Sequence, residues 1–299
     1  MIRVLVACAW LVVAPLALAF QPHTGQWWNP SESGSGYNID VQNGVLVVTI
    51  FSYKGNGDSE WYLAAAALTN TGHNFTATLD KYRNGQCISC AYAGRPGLAG
   101  NDGAISISFS SETSATLTLP GGRTTAIVPY NFGYGDPPSG LLGEWVFFYD
   151  IVTTFAERFN YTSVGNKTST GNGVVIDSGR NATCEYQTSG SFVGLVLCFD
   201  FDSTLTVTQN IYRFRYGIDE TYGGIYTYPP SGNNYSMKGL RTAGSSGATR
   251  AAVADDALSS RKAVEDVAIA RAKALPVMDA ELAAAADEAR AALLRARQD

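Results

Sequence analysis

The sequence predicts a mainly β protein: one or two small antiparallel barrels or sandwiches, followed by a C-terminal alanine-rich helical tail. Three observations carry that expectation. Every Trp, Tyr and Phe lies before residue 242, in a body rich in Gly, Asn, Ser and Thr. Hairpin signals recur there at Asn43-Gly44, Asn84-Gly85 and Asp102-Gly103, with Gly-Asn-Gly turns at Gly55–Gly57 and Gly171–Gly173. From Ala243 onward there is no aromatic residue, and alanine dominates. Aromatic and β-branched residues fit strands, whereas Ala, Leu, Arg, Glu and Lys fit helix.

Between the turn signals lie short alternating segments. In the first half they are Tyr37–Val41, Val45–Tyr53, Glu60–Leu68, Asn74–Tyr82, Ala104–Ser110, Ala115–Leu119 and Thr124–Pro129. A second set follows Pro137-Pro138, running from Glu144–Val152 to Tyr235–Leu240 and including Phe192–Phe201 and Thr204–Thr208. In Ile211–Tyr216 a period of two puts Tyr212, Phe214 and Tyr216 on one face and Arg213 and Arg215 on the other. The same logic turns Phe199 and Phe201 inward and Asp200 and Asp202 outward, as a solvated face rather than a metal site.

The first 19 residues read as a signal peptide. Arg3 precedes an apolar run, Val4–Leu18, which closes on Ala17-Leu18-Ala19. The run is shorter than the roughly 20 residues a spanning helix needs. The expected compartment is therefore secreted or periplasmic, with no membrane span after cleavage. Domain boundaries follow: signal peptide 1–19, β domains 20–136 and 137–242, a Gly/Ser linker 243–249, and a helical tail 250–299. The net charge of the chain is −5, and cleavage removes one more positive charge. A mildly acidic chain without a basic cluster has no electrostatic reason to bind nucleic acid.

Four cysteines remain after cleavage: Cys87, Cys90, Cys184 and Cys198. An even number in an oxidising compartment implies disulfides. Pairing Cys87 with Cys90 and Cys184 with Cys198 is favoured, the second pair bracketing a hairpin that turns at Gly190. Cys87-Ile88-Ser89-Cys90 lacks the helix that a redox motif opens and the second close pair that a zinc knuckle needs. No cofactor and no metal are expected.

The densest motif is Gly25-Gln26-Trp27-Trp28-Asn29-Pro30, continuing through Glu32, Ser33, Gly34 and Gly36, then Phe51, Tyr53, Gly57, Glu60, Trp61 and Tyr62. This pattern resembles a segment of uncharacterised secreted proteobacterial proteins, G-x-W-W-x-P-x-x-S-G-x-G followed by F-x-Y-x-x-x-G-x-x-x-W-Y. The resemblance implies export and β architecture, and it imports no activity. A Gly-x-Trp opening also begins lipocalin and avidin barrels, where the Trp packs at the closed end. Gly143-Glu144-Trp145 repeats it in the second half. Trp27 and Trp28 point to opposite faces of an extended strand, so one is a core plug and the other partly exposed.

Function is the weakest signal. The two histidines, His23 and His73, complete no triad motif, and neither G-x-S-x-G nor H-E-x-x-H occurs. Asp219 and Glu220 are the most suggestive carboxylate pair for a hydrolase, but strand neighbours face apart unless a turn intervenes. The expectation is a non-catalytic binding module that takes a carbohydrate, a small apolar ligand or a cell-surface partner. Its candidate contacts are Trp28, Trp61, Tyr62, Asp219 and Glu220. The alternative is an envelope assembly protein that docks through residues 250–299, whose stripe Leu282, Ala285, Ala289, Leu293 and Ala296 recurs at helical spacing.

Overall fold

A computed structural model describes residues 21–92, 94–150, 154–177, 179–206, 208–227, 235–245 and 280–298. The expected signal peptide, most of the expected Gly/Ser linker and tail residues 250–279 lie outside the described residues. Two consecutive antiparallel sheets and one helix make up the rest.

The first sheet is a closed barrel of eight strands in chain order: β1 (Gly25–Trp28), β2 (Gly36–Gln42), β3 (Val45–Tyr53), β4 (Ser59–Ala67), β5 (Asn74–Arg83), β6 (Gly97–Ser111), β7 (Ser114–Thr118) and β8 (Thr124–Pro129). β1 closes it by pairing with β8, Trp27 opposite Pro129. Asn43 and Gly44 both take positive φ in the β2–β3 turn, as a two-residue hairpin requires. Asp102-Gly103 does not turn. It lies within β6, where the pairing register with β5 shifts.

The second sheet has nine strands: β9 (Gly143–Asp150), β10 (Thr154–Tyr161), β11 (Ser163–Val164), β12 (Gly171–Asp177), β13 (Ala182–Gln187), β14 (Val196–Phe201), β15 (Thr208–Phe214), β16 (Glu220–Thr227) and β17 (Tyr235–Ala243). β10 and β11 stand at its two edges, yet only Thr162 separates them in sequence. The segment leaves β9 and joins β12, and the Thr162 amide donates to Ile176 O at 3.0 Å. The second sheet therefore also curls into a barrel, closed by one strand that changes partner. Thr204–Thr208 is not a separate strand. Asp202 accepts from the Thr206 amide at 2.7 Å and from the Thr204 hydroxyl at 2.6 Å, which makes a polar turn before β15.

The two Gly-x-Trp openings are built alike. Gly25 and Gly143 take φ of +119° and +109°, a region open to glycine. Trp27 and Trp145 are buried, and each indole N–H donates to a carbonyl four residues upstream, His23 O at 2.8 Å and Leu141 O at 3.1 Å. Arg241 of β17 covers Trp145. Its guanidinium lies 4.2 Å from the Trp145 ring and 4.0 Å from the Tyr134 ring. It donates to Gly140 O, Leu142 O and Ile218 O at 2.5–2.8 Å.

Interior positions of barrel 1 are apolar, among them Ile39, Leu46, Val48, Phe75, Ile105, Ile107 and Leu117. The outer face of β6, β7 and β8 carries Ser106, Ser108, Ser110, Ser114, Thr116 and Thr124. On these three strands the apolar side faces in and the polar side out. Barrel 2 encloses Phe147, Phe159, Tyr161, Cys184, Cys198, Tyr212 and Phe214.

The outer faces of β12, β14 and β15 carry Val174, Ile176, Leu197, Phe199, Phe201 and Ile211, while β13 between them turns the buried Thr183, Glu185 and Gln187 the same way. Helix α1 (Ala280–Ala296) covers them with Ala285, Ala286, Ala289, Ala292 and Leu293. Ala296, expected on that stripe, is exposed. Glu281 and Glu288 pin the helix to the barrel, accepting from the Ser191 amide at 2.8 Å and from the Ser169 amide and hydroxyl at 2.5 and 2.8 Å. The expected facing of β14 is thus reversed. Phe199 and Phe201 point out under the helix, and Asp200 points into the barrel.

Leu293 is fully buried, whereas its neighbour Leu294 is 45% exposed. Leu293→Ala is expected to cost about 2–4 kcal/mol in urea unfolding, and Leu294→Ala within about 0.5 kcal/mol. Equal, small effects would mean that the helix does not cover the barrel in solution.

Candidate functional site

The side chains proposed as contacts fall into three places. Trp61 and Tyr62 are strand neighbours and so face opposite ways. Trp61 stands on the outside of barrel 1. Its cross-strand partner on β3 is Phe51, and the register that pairs Leu63 with Asp80 sets it beside Tyr82 on β5. The Trp61 and Tyr82 rings stack at 5.8 Å with an interplanar angle of 10°. Tyr82 pairs in turn with Leu98 on β6.

On the other side, Phe51 pairs with Gly36, and the β1–β2 register brings Trp28 opposite Gly36. Trp28, Phe51, Trp61, Tyr82 and Leu98 therefore form one outward row across β1 to β6, interrupted only by Gly36. Phe51 is 50% exposed and Trp61 46%. Trp28 is half-buried and packs edge-on against Tyr130 at 5.0 Å. Polar neighbours flank the row on the same face: Asn38 paired with Thr49, Ser59, and Asp80 beside Tyr82. Val45, Val47 and Leu63 extend the apolar surface down β3 and β4.

Tyr62 points inward, at the end of barrel 1 away from Trp27. That end is set by β6: Phe109 packs on Trp27 near its C-terminus, and Asp102 meets Tyr62 near its start. The Tyr62 hydroxyl lies 2.5 Å from Glu60 Oε2 and 2.7 Å from Asp102 Oδ2, donating to one at a time. Lys81 Nζ sits 2.6 Å from Asp102 and 3.8 Å from Glu60. Burial, then the two carboxylates, push the Tyr62 hydroxyl well above its ordinary range. The hydrogen bond from Lys81 holds Asp102 below the usual carboxylate range. The cluster is a rim in which Tyr62 and Lys81 each bridge Glu60 and Asp102, with one more carboxylate than ammonium.

Asp219 and Glu220 stand where the chain enters β16. The Asp219 carbonyl accepts from the Arg241 amide at 2.8 Å, at the closed end of barrel 2. Glu220 faces the surface, paired with Lys238 at 3.2 Å and accepting from the Tyr222 hydroxyl at 3.0 Å. The motif loop that opens barrel 1 is braced by Glu32, paired with Arg123 at 2.5 Å, and by Asn29, which donates to Thr125 Oγ1 at 2.8 Å.

Two features escaped sequence reading. Phe51, Tyr82 and Leu98 join Trp61 only through register, although hairpin turns of known length could have aligned them. The second is a charged trio inside barrel 2. Arg180 Nη2 lies 3.1 Å from both Glu157 and Asp200, and its guanidinium sits 4.4 Å from the Phe159 ring. Glu157 also accepts from Tyr149 at 2.9 Å and Tyr212 at 2.5 Å. Burial opposes the Arg180 charge, but its two carboxylates outweigh burial and hold it above its usual range. No group of three or more His, Cys, Asp or Glu with metal-binding geometry occurs among the described residues.

Burial, and then the charge of Glu157, raise the Asp200 carboxyl to about 7 against the pull of Arg180. A raised folded-state value stabilises the fold fully below the unfolded value, near 4, and that stability is lost as pH rises through about 7. Asp200→Asn removes this slope. The advantage of the native protein over Asp200→Asn in urea unfolding should be largest near pH 4 and smallest above pH 7. A difference that grows with pH would contradict the placement of Asp200. Comparisons of the chain with protein-family models, with curated proteins and with solved structures returned no match.

Proposed function

We propose that this is an exported, non-catalytic protein that binds carbohydrate on the outer face of barrel 1. The observation that carries the reading is the Phe51–Trp61–Tyr82 row, exposed on the outer face of barrel 1 and flanked there by Asn38, Thr49, Ser59 and Asp80. Aromatic rings offer apolar faces to the C–H surface of a sugar, and the flanking Asn38, Ser59 and Asp80 can bond its hydroxyls. Large isolated apolar patches on soluble barrels mark binding surfaces. The interiors of both barrels are occupied by large side chains, which favours an external site over an enclosed one.

Export is supported by the N-terminal leader pattern and by both disulfides, Cys87–Cys90 and Cys184–Cys198. Among the described residues no helix is long and apolar enough to cross a membrane. A hydrolase built on Asp219 and Glu220 gains no support, because Glu220 is engaged by Lys238 and Tyr222. Envelope docking through the tail would have to use residues 250–279 or the charged face of α1, since the helix buries its apolar stripe on its own barrel.

Soluble glycans of varied linkage should perturb Trp emission, and Trp61→Ala should weaken binding about tenfold or more. Leu98→Ala should weaken it less, and a substitution on the Ser face of β6, Ser106→Ala, not at all. Unchanged emission and no retention on any of several insoluble polysaccharides would sink the proposal.

A further inference from the structure

The two disulfides sit in opposite environments. Cys184 and Cys198 stand directly opposite each other on β13 and β14, each 1% exposed, and Tyr161 donates its hydroxyl to Cys184 Sγ at 2.9 Å. Cys87 and Cys90 are both exposed, in the connection between β5 and β6. Ile88 between them is fully solvated, and Tyr92 just beyond is 81% exposed. No side chain of the barrel 1 core comes from this connection.

The connection from Arg83, which ends β5, to β6 carries Arg83 and Arg95 and no carboxylate, and Asp80, Lys81 and Asp102 lie on the strands that flank it. Positive surroundings favour a thiolate, both as attacking group and as leaving group. The turn also has a support that survives opening of the bond. The Gln86 side-chain amide donates to Cys87 O at 2.9 Å, Cys90 O at 2.7 Å and Ala91 O at 3.2 Å.

We propose that Cys87–Cys90 is a thiol–disulfide exchange site, open to dithiol reductants, and that Cys184–Cys198 is structural. A thiolate of the dithiol attacks one sulfur of the pair, forming a mixed disulfide and expelling the other cysteine as a thiolate. The second thiol of the reductant, deprotonated, then attacks the reductant's own sulfur in the mixed disulfide, and the remaining cysteine leaves as a thiolate. The protein gains two electrons and two protons, and the reductant becomes a disulfide. Exchange needs no opening of the barrel, whereas Cys184–Cys198 is reached only through local unfolding. The site also borders the aromatic row, because the connection that holds it joins Tyr82 to Leu98.

The test uses the full-length protein in native buffer with dithiothreitol, followed by alkylation and peptide mass analysis. Cys87 and Cys90 should be alkylated at least about 100-fold faster than Cys184 and Cys198, with far-UV circular dichroism unchanged. The double variant Arg83→Glu/Arg95→Glu should slow reduction by glutathione, an anionic thiol, by several-fold. The assignment is overturned if the two disulfides open together, if Cys87–Cys90 resists until urea unfolds the chain, or if barrel 1 melts when it opens. An unchanged glutathione rate in the double variant would take the arginines out of the site. None of these readouts involves a sugar, so the exchange site stands or falls apart from the carbohydrate reading.

Discussion

Filling an eight-stranded barrel is the constraint on which the rest of this molecule depends. Eight strands enclose an interior just wide enough for side chains to occupy. Both barrels fill it, with large aliphatic residues in the first and with aromatics in the second. Each is stoppered at one end by a tryptophan whose N–H is satisfied by a carbonyl four residues upstream. A filled interior leaves recognition to the outer faces and rims. The period of two along each strand then decides which residues reach those faces.

The two barrels differ in what covers the outside. Around barrel 2 the helix takes over one flank, so β12 to β15 are largely buried on both faces, and β12 and β14 turn apolar side chains outward as well as inward. That arrangement also makes the interior charges intelligible. A lone Asp200 inside a barrel would be costly; Arg180 pairs with its carboxylate and Asn210 bonds to it, and the same Arg180 pairs with Glu157. Barrel 1 has no such cover among the described residues. Its outer surface is polar on β6 to β8, and its apolar surface gathers on β3 to β5 around the aromatic row. The row is assembled from five strands, so no single segment carries it.

Much of the fold was legible. Turn chemistry located the β2–β3 and β3–β4 hairpins at Asn43-Gly44 and Gly55–Gly57, because these residues tolerate positive φ, but Gly171–Gly173 lies within β12 and Asp102-Gly103 within β6. The Gly-x-Trp echo located the start of each barrel, and cysteine spacing located both disulfides. Reading failed where two physical solutions share one pattern. Phe199-Asp200-Phe201-Asp202 alternates as a half-exposed strand does, and only the docked helix shows that the phenylalanines point outward. Thr204–Thr208 has strand composition, yet Asp202 captures its backbone as a turn. Trp61 and Tyr62 were grouped by adjacency in sequence, although adjacency along a strand means opposite faces.

The sequence by itself determined the class of the fold, its division near residue 137, the tryptophan plugs and the helical propensity of the end of the chain. These follow from local rules: turn residues, side-chain period and intrinsic preference act over a few residues. Tertiary structure alone decided that the sheets close, that Phe51, Trp61 and Tyr82 meet, that Arg180 joins Glu157 to Asp200, and that the helix lies on its own barrel. Each of these depends on strand register and on contacts between distant segments. Register is a property of paired strands, and no single strand encodes it.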